Sequence, residues 1–190
     1  MLLAALIAPA GRDDGLVTSR LFVALWPDDA ARQALAASLP SARGAAPDVR
    51  WQPAHRWHVT LAFLGPAAPD KAASRIGAVM ERDHPAPEPI RLLGAGTFGA
   101  VIWVGVEHGS WLDQLAGDLQ RALRVADRRF RGHVTVGRIR GPNGPARARQ
   151  VTPHLADHRG PLWTPTQITL VESQIGPTPS YTVRQSWPMS

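Results

Sequence analysis

The sequence predicts an α+β fold with two lobes, each a mainly antiparallel sheet with outer helices, and a cleft between the lobes. Two observations lead to this fold class. First, short apolar runs that are typical of strands alternate with longer segments of helical periodicity. Second, the tripeptide His-Val-Thr occurs at residues 58–60 and again at residues 133–135, within similar orders of elements. The repeat indicates an approximate internal duplication in which each motif strand lines the cleft.

The first half of the chain predicts three strands and two helices. Branched and aromatic residues indicate the strands, and aspartates that can cap a helix precede the helical segments. In order, we predict a strand at Arg20–Trp26, a helix through residues 31–39 capped by Asp28 and Asp29, a loop at Pro40–Pro47, a short strand at Val49–Trp51, a strand at His58–Leu64 and a helix over residues 70–82 capped by Asp70.

The second half repeats this order after a stiff connector at His84–Pro89, which contains three prolines and is the expected lobe boundary. Residues 146–158 fit no single pattern. In order, we predict strands at Ile90–Phe98 and Val101–Val106, a helix that Ser110 caps and that has leucines at helical spacing, a strand at Phe130–Ile139, a loop at Gly141–Pro145 and a strand pair at Thr166–Gln174 and Tyr181–Trp187.

The length and composition suit one compact domain. The chain has 190 residues, 44% of them hydrophobic, and only 19% are charged, which is typical of a globular protein. We expect residues 19–190 to form a single bilobal domain and residues 1–18 to be a poorly packed extension. The chain has no cysteine, which excludes disulfides, cysteine nucleophiles and thiolate zinc sites.

The N-terminal stretch MLLAALIAPA is apolar but lacks the basic start of a secretory signal peptide. Ten residues are also too few to cross a bilayer as a helix. We therefore expect a cytoplasmic protein without a membrane partner. Export is the alternative location, because residues 8–10 resemble a small-residue cleavage site. A start codon assigned too far upstream is another explanation of this N-terminal stretch.

The net charge is +6, and arginine carries nearly all of the positive charge, since Lys71 is the only lysine. The guanidinium group presents a planar set of donors that matches phosphate oxygens, which favours a phosphate-rich partner such as RNA. A GC-rich genome would also enrich arginine together with alanine, glycine and proline. Charge alone therefore does not decide the partner.

Side chains alternate along a strand, so each motif strand is expected to have one polar and one apolar face. The polar face of the first holds His58 and Thr60, and that of the second holds His133 and Thr135. A third match, at residues 108–110, we interpret as a helix start. The faces opposite the motifs hold Val59, Leu61 and Phe63 in the first strand and Val134 and Val136 in the second.

Two facing polar strands have a chemical interpretation. Histidine titrates near neutral pH, so two imidazoles across a cleft can act as an acid and a base. The threonine hydroxyls can donate to the oxygens of one phosphate. Such a site needs neither a metal nor a cofactor. The structural alternative is a pair of unrelated strands whose histidines are exposed or hydrogen-bonded in the core.

The paired motifs resemble those of the 2H phosphoesterase superfamily, and within it those of the RNA 2′,3′-cyclic phosphodiesterases, also called 2′-5′ RNA ligases. The similarity extends over most of residues 20–188. The segments that carry it are RLFVALWP, HVTLAFLG, IWVGVEH, RGHVTVGRIR and VESQIGPTPSY.

The resemblance implies metal-independent opening of a 2′,3′-cyclic phosphate to a 2′-phosphomonoester. It implies that His58 protonates the departing 3′ oxygen, that His133 activates water, and that Thr60 and Thr135 hold the phosphate. A weak reverse reaction that joins RNA through a 2′-5′ linkage is also implied. The substrates would be RNA ends or nucleoside 2′,3′-cyclic phosphates, and we expect a monomer.

The second motif departs from the family pattern. Gly132 stands where the family has proline, and Val136 where it has leucine. Arg138 matches a family position linked to the phosphate, yet simple alternation places it on the face opposite His133. It can reach the cleft only if the strand twists or if Gly137 hosts a bulge.

Further substrate contacts are expected from residues near the motifs. Phe22 could form the floor of the cleft, Arg131 could lie at its rim, and Tyr181 could stack on a base. Other candidates are Trp26, Trp51 and Trp57 for stacking and Arg50, Arg56, Arg128, Arg129 and Arg140 at the rim.

Three other functions remain open from the sequence. His55, His58 and His133 could bind a metal in a hydrolase, although no acidic residue lies in either motif strand. A non-catalytic RNA-binding module would suit the charge and the seven tryptophans. Another 2H phosphodiesterase, acting on ADP-ribose cyclic phosphate or 2′-5′ oligonucleotides, would share the catalytic groups.

Overall fold

The computed structural model describes residues 19–82, 84–125, 129–174 and 180–189. The expected extension at residues 1–18 lies outside the described residues, as does Arg128. The strands are β1 (Ser19–Leu25), β2 (Arg50–Trp51), β3 (Val59–Ala67), β4 (Arg91–Phe98), β5 (Val101–Glu107), β6 (His133–Arg138), β7 (Gln167–Gln174) and β8 (Ser180–Pro188). The helices are α1 (Asp29–Ala45), α2 (Pro69–Met80), α3 (Ser110–Leu123) and α4 (Gly144–Val151), with short 3-10 turns at Ala54–Arg56 and Thr152–Leu155.

The strands form one antiparallel sheet in the order β4-β5-β6-β3-β1-β7-β8, with β2 paired to β6. The two motif strands, β3 and β6, are neighbours at the centre, but only Val59 and Val134 are paired between them. The sheet therefore consists of two sets of strands joined at one point. This arrangement, with the four helices found within the described residues, confirms the α+β fold class.

The two sets of strands do not follow the two halves of the chain. The late strands β7 and β8 extend the first set, because β7 pairs with β1. The early strand β2 joins the second set through β6. The two halves of the chain therefore exchange strands, and each set of strands in the sheet includes strands from the other half.

The side chains of β1 separate the main core from a second apolar cluster. Leu21, Val23 and Leu25 are fully buried in the main core together with leucines of α1 and α3. Phe22 and Ala24 point to the opposite face, as strand alternation requires. There they form a smaller cluster with Val171, Trp26 and Tyr181.

Several helix boundaries differ from the prediction. The predicted loop at Pro40–Pro47 is wrong, because α1 continues through Pro40 to Ala45 and buries Ala42 completely. The caps also differ: Asp28 accepts a hydrogen bond from the Ala31 amide, whereas Asp70 lies within the first turn of α2, after Pro69. Ser110 is the first residue of α3, after Gly109. The segment 146–158, which fitted no pattern, contains most of α4 and a 3-10 turn.

Candidate active site

Irregularities in β3 change the direction of its side chains. Along β1, the partners pass from Thr60 directly to Ala62 and from Phe63 directly to Gly65, so Leu61 and Leu64 are extra residues on β3. Each extra residue reverses the alternation. Phe63, predicted on the apolar face with Val59, is therefore on the polar side, 60% exposed. That prediction was wrong because it assumed a regular strand.

A similar irregularity in β6 turns Arg138 toward the polar side. On β5, the partner of Trp103 is Thr135 and the partner of Ile102 is Gly137, which leaves Val136 as an extra residue. Both Val136 and Gly137 are buried, one after the other, and Arg138 is exposed. From the sequence, Arg138 could reach the cleft only if the strand twisted or had a bulge. The bulge is present.

The polar faces of the two motif strands line one cleft of about 410 Å³. Of the eight residues first predicted for catalysis, phosphate binding and substrate contact, it contains all except Arg131; of the other described candidates it contains Arg56 but not the three tryptophans, Arg50, Arg129 or Arg140. None of the described residues that line it is acidic. The lining residues are Arg20, Phe22, Gln52, Arg56, His58, Thr60, Phe63, His133, Thr135, Arg138, Ser173 and Tyr181.

Arg131 lies beside the cleft rather than in it. It lines an adjoining cavity of about 630 Å³ that also touches Thr60 and His133. Its guanidinium carbon lies 6.0 Å from the centre of the Phe98 ring. The expected rim position is therefore displaced toward the His133 side, where Phe98 is an exposed neighbour.

Each motif histidine forms an equivalent hydrogen bond with the backbone carbonyl two residues before it. Nδ1 of His58 lies 2.7 Å from the carbonyl oxygen of Arg56, and Nδ1 of His133 lies 2.7 Å from that of Arg131. A carbonyl oxygen only accepts, so Nδ1 carries the proton in both rings. This leaves Nε2 of each imidazole to exchange a proton with a ligand in the cleft.

Aromatic side chains surround His58. The Phe22 ring stacks on it at 4.7 Å between centres with an angle of 27°. Tyr181 meets it edge-on at 5.4 Å, and Trp26 lies tilted at 5.5 Å. Trp26 is itself fixed by a 2.8 Å hydrogen bond from its indole nitrogen to the Thr169 hydroxyl. The ring of His58 is therefore confined on several sides.

Burial lowers the pKa of His58 from 6.5 to about 4. The hydrogen bond to the Arg56 carbonyl acts in the opposite direction, while positive charge at His133 and Arg138 lowers the pKa further. Desolvation disfavours the charged imidazolium, and the carbonyl only partly replaces the lost water. His58 is thus neutral near pH 7 in the free protein.

The pKa of His133 is also lowered, chiefly by burial. The Arg131 carbonyl again raises it, and Arg138 again lowers it. Its aromatic neighbours are Phe98, edge-on at 5.0 Å, and Trp103 at 6.1 Å. Arg138 lines the same cleft as both histidines, and its positive charge lowers the pKa of each.

Some residues of the cleft could not be identified from the motifs. Arg20 of β1, Gln52 just after β2 and Ser173 of β7 line it, although they lie far apart in sequence. The contact of Phe98 with His133 depends on the pairing of β5 with β6. Conversely, Trp57 is only 1% exposed and lies in the main core, so its predicted stacking role is wrong.

The proposed metal-binding histidines do not form a metal site. Within the described residues, no three His, Asp or Glu side chains are close enough together to hold a metal ion. His55 is exposed on a 3-10 turn, and Nδ1 of His58 donates to the carbonyl oxygen of Arg56. None of the helices in this part of the chain has both the length and the apolarity that crossing a membrane requires.

A family model described as the 2′-5′ RNA ligase superfamily matches residues 24–176. A protein from Archaeoglobus fulgidus named RNA 2′,3′-cyclic phosphodiesterase is 32% identical over 133 residues, which cover 65% of this chain and 74% of that protein. One with the same name from Geobacillus stearothermophilus is 28% identical over 184 residues, which cover 90% of this chain. The chain spans only 57% of the length of that Geobacillus protein.

Solved structures share the fold. The apo form of E. coli LigT superimposes with a TM-score of 0.71 at 22% identity, covering 90% of this chain and 97% of LigT. The structure of TT0787 from Thermus thermophilus gives a TM-score of 0.68 at 26% identity, covering 90% of this chain and 97% of TT0787.

Proposed function

Because the chain belongs to the 2′-5′ RNA ligase superfamily, we propose that it hydrolyses 2′,3′-cyclic phosphate ends of RNA to 2′-phosphomonoesters. His58 and His133 are the acid–base pair. One observation carries the proposal: both histidines line a single cleft with Thr60, Thr135 and Arg138, and each is held by the same backbone hydrogen bond. The names of the relatives from A. fulgidus and G. stearothermophilus support the choice of substrate.

In this mechanism the phosphorus atom lies between the two imidazoles. Nε2 of His133 takes a proton from water as the water oxygen bonds to phosphorus. The bond from phosphorus to the 3′ oxygen breaks, and Nε2 of His58 gives that oxygen its proton. The phosphate remains on the 2′ oxygen, and the proton on His133 restores the pair after product release.

Thr60, Thr135 and Arg138 bind the non-bridging oxygens of the phosphate. Each threonine hydroxyl can donate one hydrogen bond, and the guanidinium adds charge-assisted bonds that strengthen as negative charge develops. These donors are held on strands before the substrate arrives, so little reorganisation is needed in the transition state.

The low pKa values fit this scheme if phosphate binding adds the missing proton. An anion next to an imidazole favours its charged form and raises its pKa. Protonated His58, which is buried among aromatic rings, is then a strong acid toward the departing oxygen. A 5′-hydroxyl in place of water would use the same groups and form a 2′-5′ linkage, which is the weak reverse joining that we include in the proposal.

The test is the turnover of nucleoside 2′,3′-cyclic phosphates and of a short RNA with a cyclic end, measured in EDTA. We expect a 2′-phosphate product and a loss of kcat of at least about a hundredfold in His58→Ala and in His133→Ala. His55→Ala is the matched control, since His55 is exposed and lies outside the cleft. A folded protein that leaves both substrates intact would refute the proposal.

Other outcomes of this test identify the alternatives. Loss of activity in EDTA would support a metal hydrolase. RNA binding without turnover would support a binding module. Activity only on ADP-ribose cyclic phosphate or 2′-5′ oligonucleotides would keep the histidine pair and change the substrate. The cytoplasmic location and the monomeric state stay predictions.

A further inference from the structure

A third cavity, the arginine groove, lies beside the cleft along β2 and the end of β6. It has a volume of about 400 Å³. Arg50 and Arg140 line the groove but not the cleft. Four residues line both cavities: Gln52, Arg56, Arg138 and Tyr181. The four shared residues make the groove a direct neighbour of the cleft, which is where the part of a ligand beyond the reacting group would lie.

The arginines of the groove are placed where they repel one another. Arg50 on β2 is the direct cross-strand partner of Arg138 on β6. Like charges in directly opposite positions of a sheet destabilise it. In the described parts of the chain, Arg50, Arg138 and Arg140 form no ion pair, and no acidic residue lines the groove. An anionic ligand would relieve this repulsion.

The amount of positive charge exceeds what one cyclic phosphate requires. A cyclic phosphodiester carries a single negative charge, and Arg138 with the two threonines already faces it in the cleft. Arg50 and Arg140 add two charges beyond the reacting group. At a 2′,3′-cyclic end the RNA strand continues only in the 5′ direction, and each further nucleotide adds one phosphate. The groove therefore matches the strand that precedes the cyclic end.

We propose that the arginine groove binds phosphates of the nucleotides that precede the cyclic end, with Arg50 and Arg140 as their ligands. The inference rests on the proposed function and specifies its substrate: the protein selects RNA ends over free nucleoside cyclic phosphates. Tyr181 marks the junction between the cavities, where the guanidinium carbon of Arg56 lies 5.6 Å from the centre of its ring.

The experiment compares kcat/KM for adenosine 2′,3′-cyclic phosphate and for a tetraadenylate with a cyclic end, over about 50 to 200 mM salt. We expect the wild type to prefer the tetranucleotide by on the order of tenfold. Two phosphate contacts on a single strand should make the salt dependence of its kcat/KM steeper by about 1.4 in a log–log plot. The Arg50→Gln/Arg140→Gln protein should lose most of the preference and of the added slope.

The matched control is Arg82→Gln/Arg159→Gln, which removes the same charge from two exposed arginines that line neither the groove nor the cleft. The control should keep the preference for the tetranucleotide. An unchanged preference in the Arg50→Gln/Arg140→Gln protein, or an equal loss in the control, would overturn the proposal.

A binding measurement separates this proposal from the proposed function. Fluorescence anisotropy would follow a labelled tetraadenylate that carries a 2′-phosphate, with wild type, the Arg50→Gln/Arg140→Gln protein and the control. Weaker binding only in the Arg50→Gln/Arg140→Gln protein supports the groove even if neither cyclic substrate turns over, in which case the proposed hydrolysis fails alone. Equal binding by all three proteins refutes the groove, whatever the turnover.

Discussion

His58 and His133 have the same backbone hydrogen bond but different surroundings. The Phe22 ring stacks on His58, whereas His133 contacts Phe98, whose side chain is 37% exposed. The same motif therefore produces two imidazoles with different access to water. This difference supports distinct proton-transfer roles for two residues that the sequence presents as equivalent.

The pH dependence of kcat/KM reports the protonation of the free enzyme. The proposed mechanism needs one proton on the histidine pair, and burial lowers the pKa of both His58 and His133. Because both pKa values lie below 6.5, we expect kcat/KM to be highest at acidic pH and to be falling already as the pH rises through 6.5. Initial rates with a nucleoside cyclic phosphate test this. A kcat/KM that increases from mildly acidic to alkaline pH would contradict it.

The low pKa of His58 also predicts how folding stability depends on pH. Between the usual pKa of 6.5 and the folded value of about 4, the unfolded chain binds a proton that folded His58 does not. The free energy of unfolding is therefore not reduced by His58 above pH 6.5. As the pH falls toward 4, it declines by roughly 2 to 3 kcal/mol because of this residue. Urea unfolding should show a smaller decline in His58→Gln than in wild type.

The exposed His55 supplies the control for that measurement. His55→Gln should retain the wild-type decline, since its side chain is outside the cleft. If His58→Gln and His55→Gln lost the same stability over the same pH range, the low pKa of His58 would not be a cause of the decline.

At the residue scale, the sequence predicts the groups whose chemistry is encoded in a local pattern. The two His-Val-Thr motifs predict His58, Thr60, His133 and Thr135, and all four line the cleft. Ser173 could not be predicted, because it joins the cleft only through the pairing of β7 with β1. A contact made by long-range pairing has no local signal in one sequence.

At the scale of the strand, bulges place the side chains that face the ligand. The extra residue Leu61 in β3 turns Phe63 toward the cleft, and the extra residue in β6 does the same for Arg138. Strand positions and types are predicted well by apolar patterning. The bulges are not, because a single added residue leaves the composition of a strand unchanged and reverses its faces.

The close packing around β6 requires a small residue at position 137. A Cβ at Gly137 would lie 2.7 Å from a methyl carbon of Val49 and 3.3 Å from the Trp51 ring. Gly137→Ala should therefore lower the free energy of unfolding by about 1 to 3 kcal/mol. Most of this loss should disappear in a Val49→Ala background, because the clashing methyl group is then absent. Chemical denaturation of the four proteins of this cycle measures the coupling.

Gly44→Ala is the control for the same substitution without a clash. Gly44 lies in α1 with no atom near its would-be Cβ, so alanine there should stabilise the protein by up to about 1 kcal/mol. A Gly137→Ala loss of the same size with and without Val49→Ala would show that the clash with Val49 is not the cause of the loss.

At the scale of the whole molecule, the cleft exists because two sets of strands meet at a single residue pair. Val59 and Val134 join β3 to β6, and the motif side chains beyond this point face one cavity. The repeat in the sequence predicts two motif strands at a shared cleft. The exchange of β2 and of the β7–β8 pair between the halves has no sequence signal, because edge pairing is decided by the tertiary fold.

In the proposed mechanism, His58 and His133 act as one catalytic unit across that cleft. The most direct measurement is a double-mutant cycle on kcat with a nucleoside 2′,3′-cyclic phosphate in EDTA, using His58→Ala, His133→Ala and both together. Residues that act as a unit are strongly non-additive, so we expect the double variant to lose about as much activity as either single variant. Losses that multiply in the double variant would mean that the two histidines act independently, which would contradict the account.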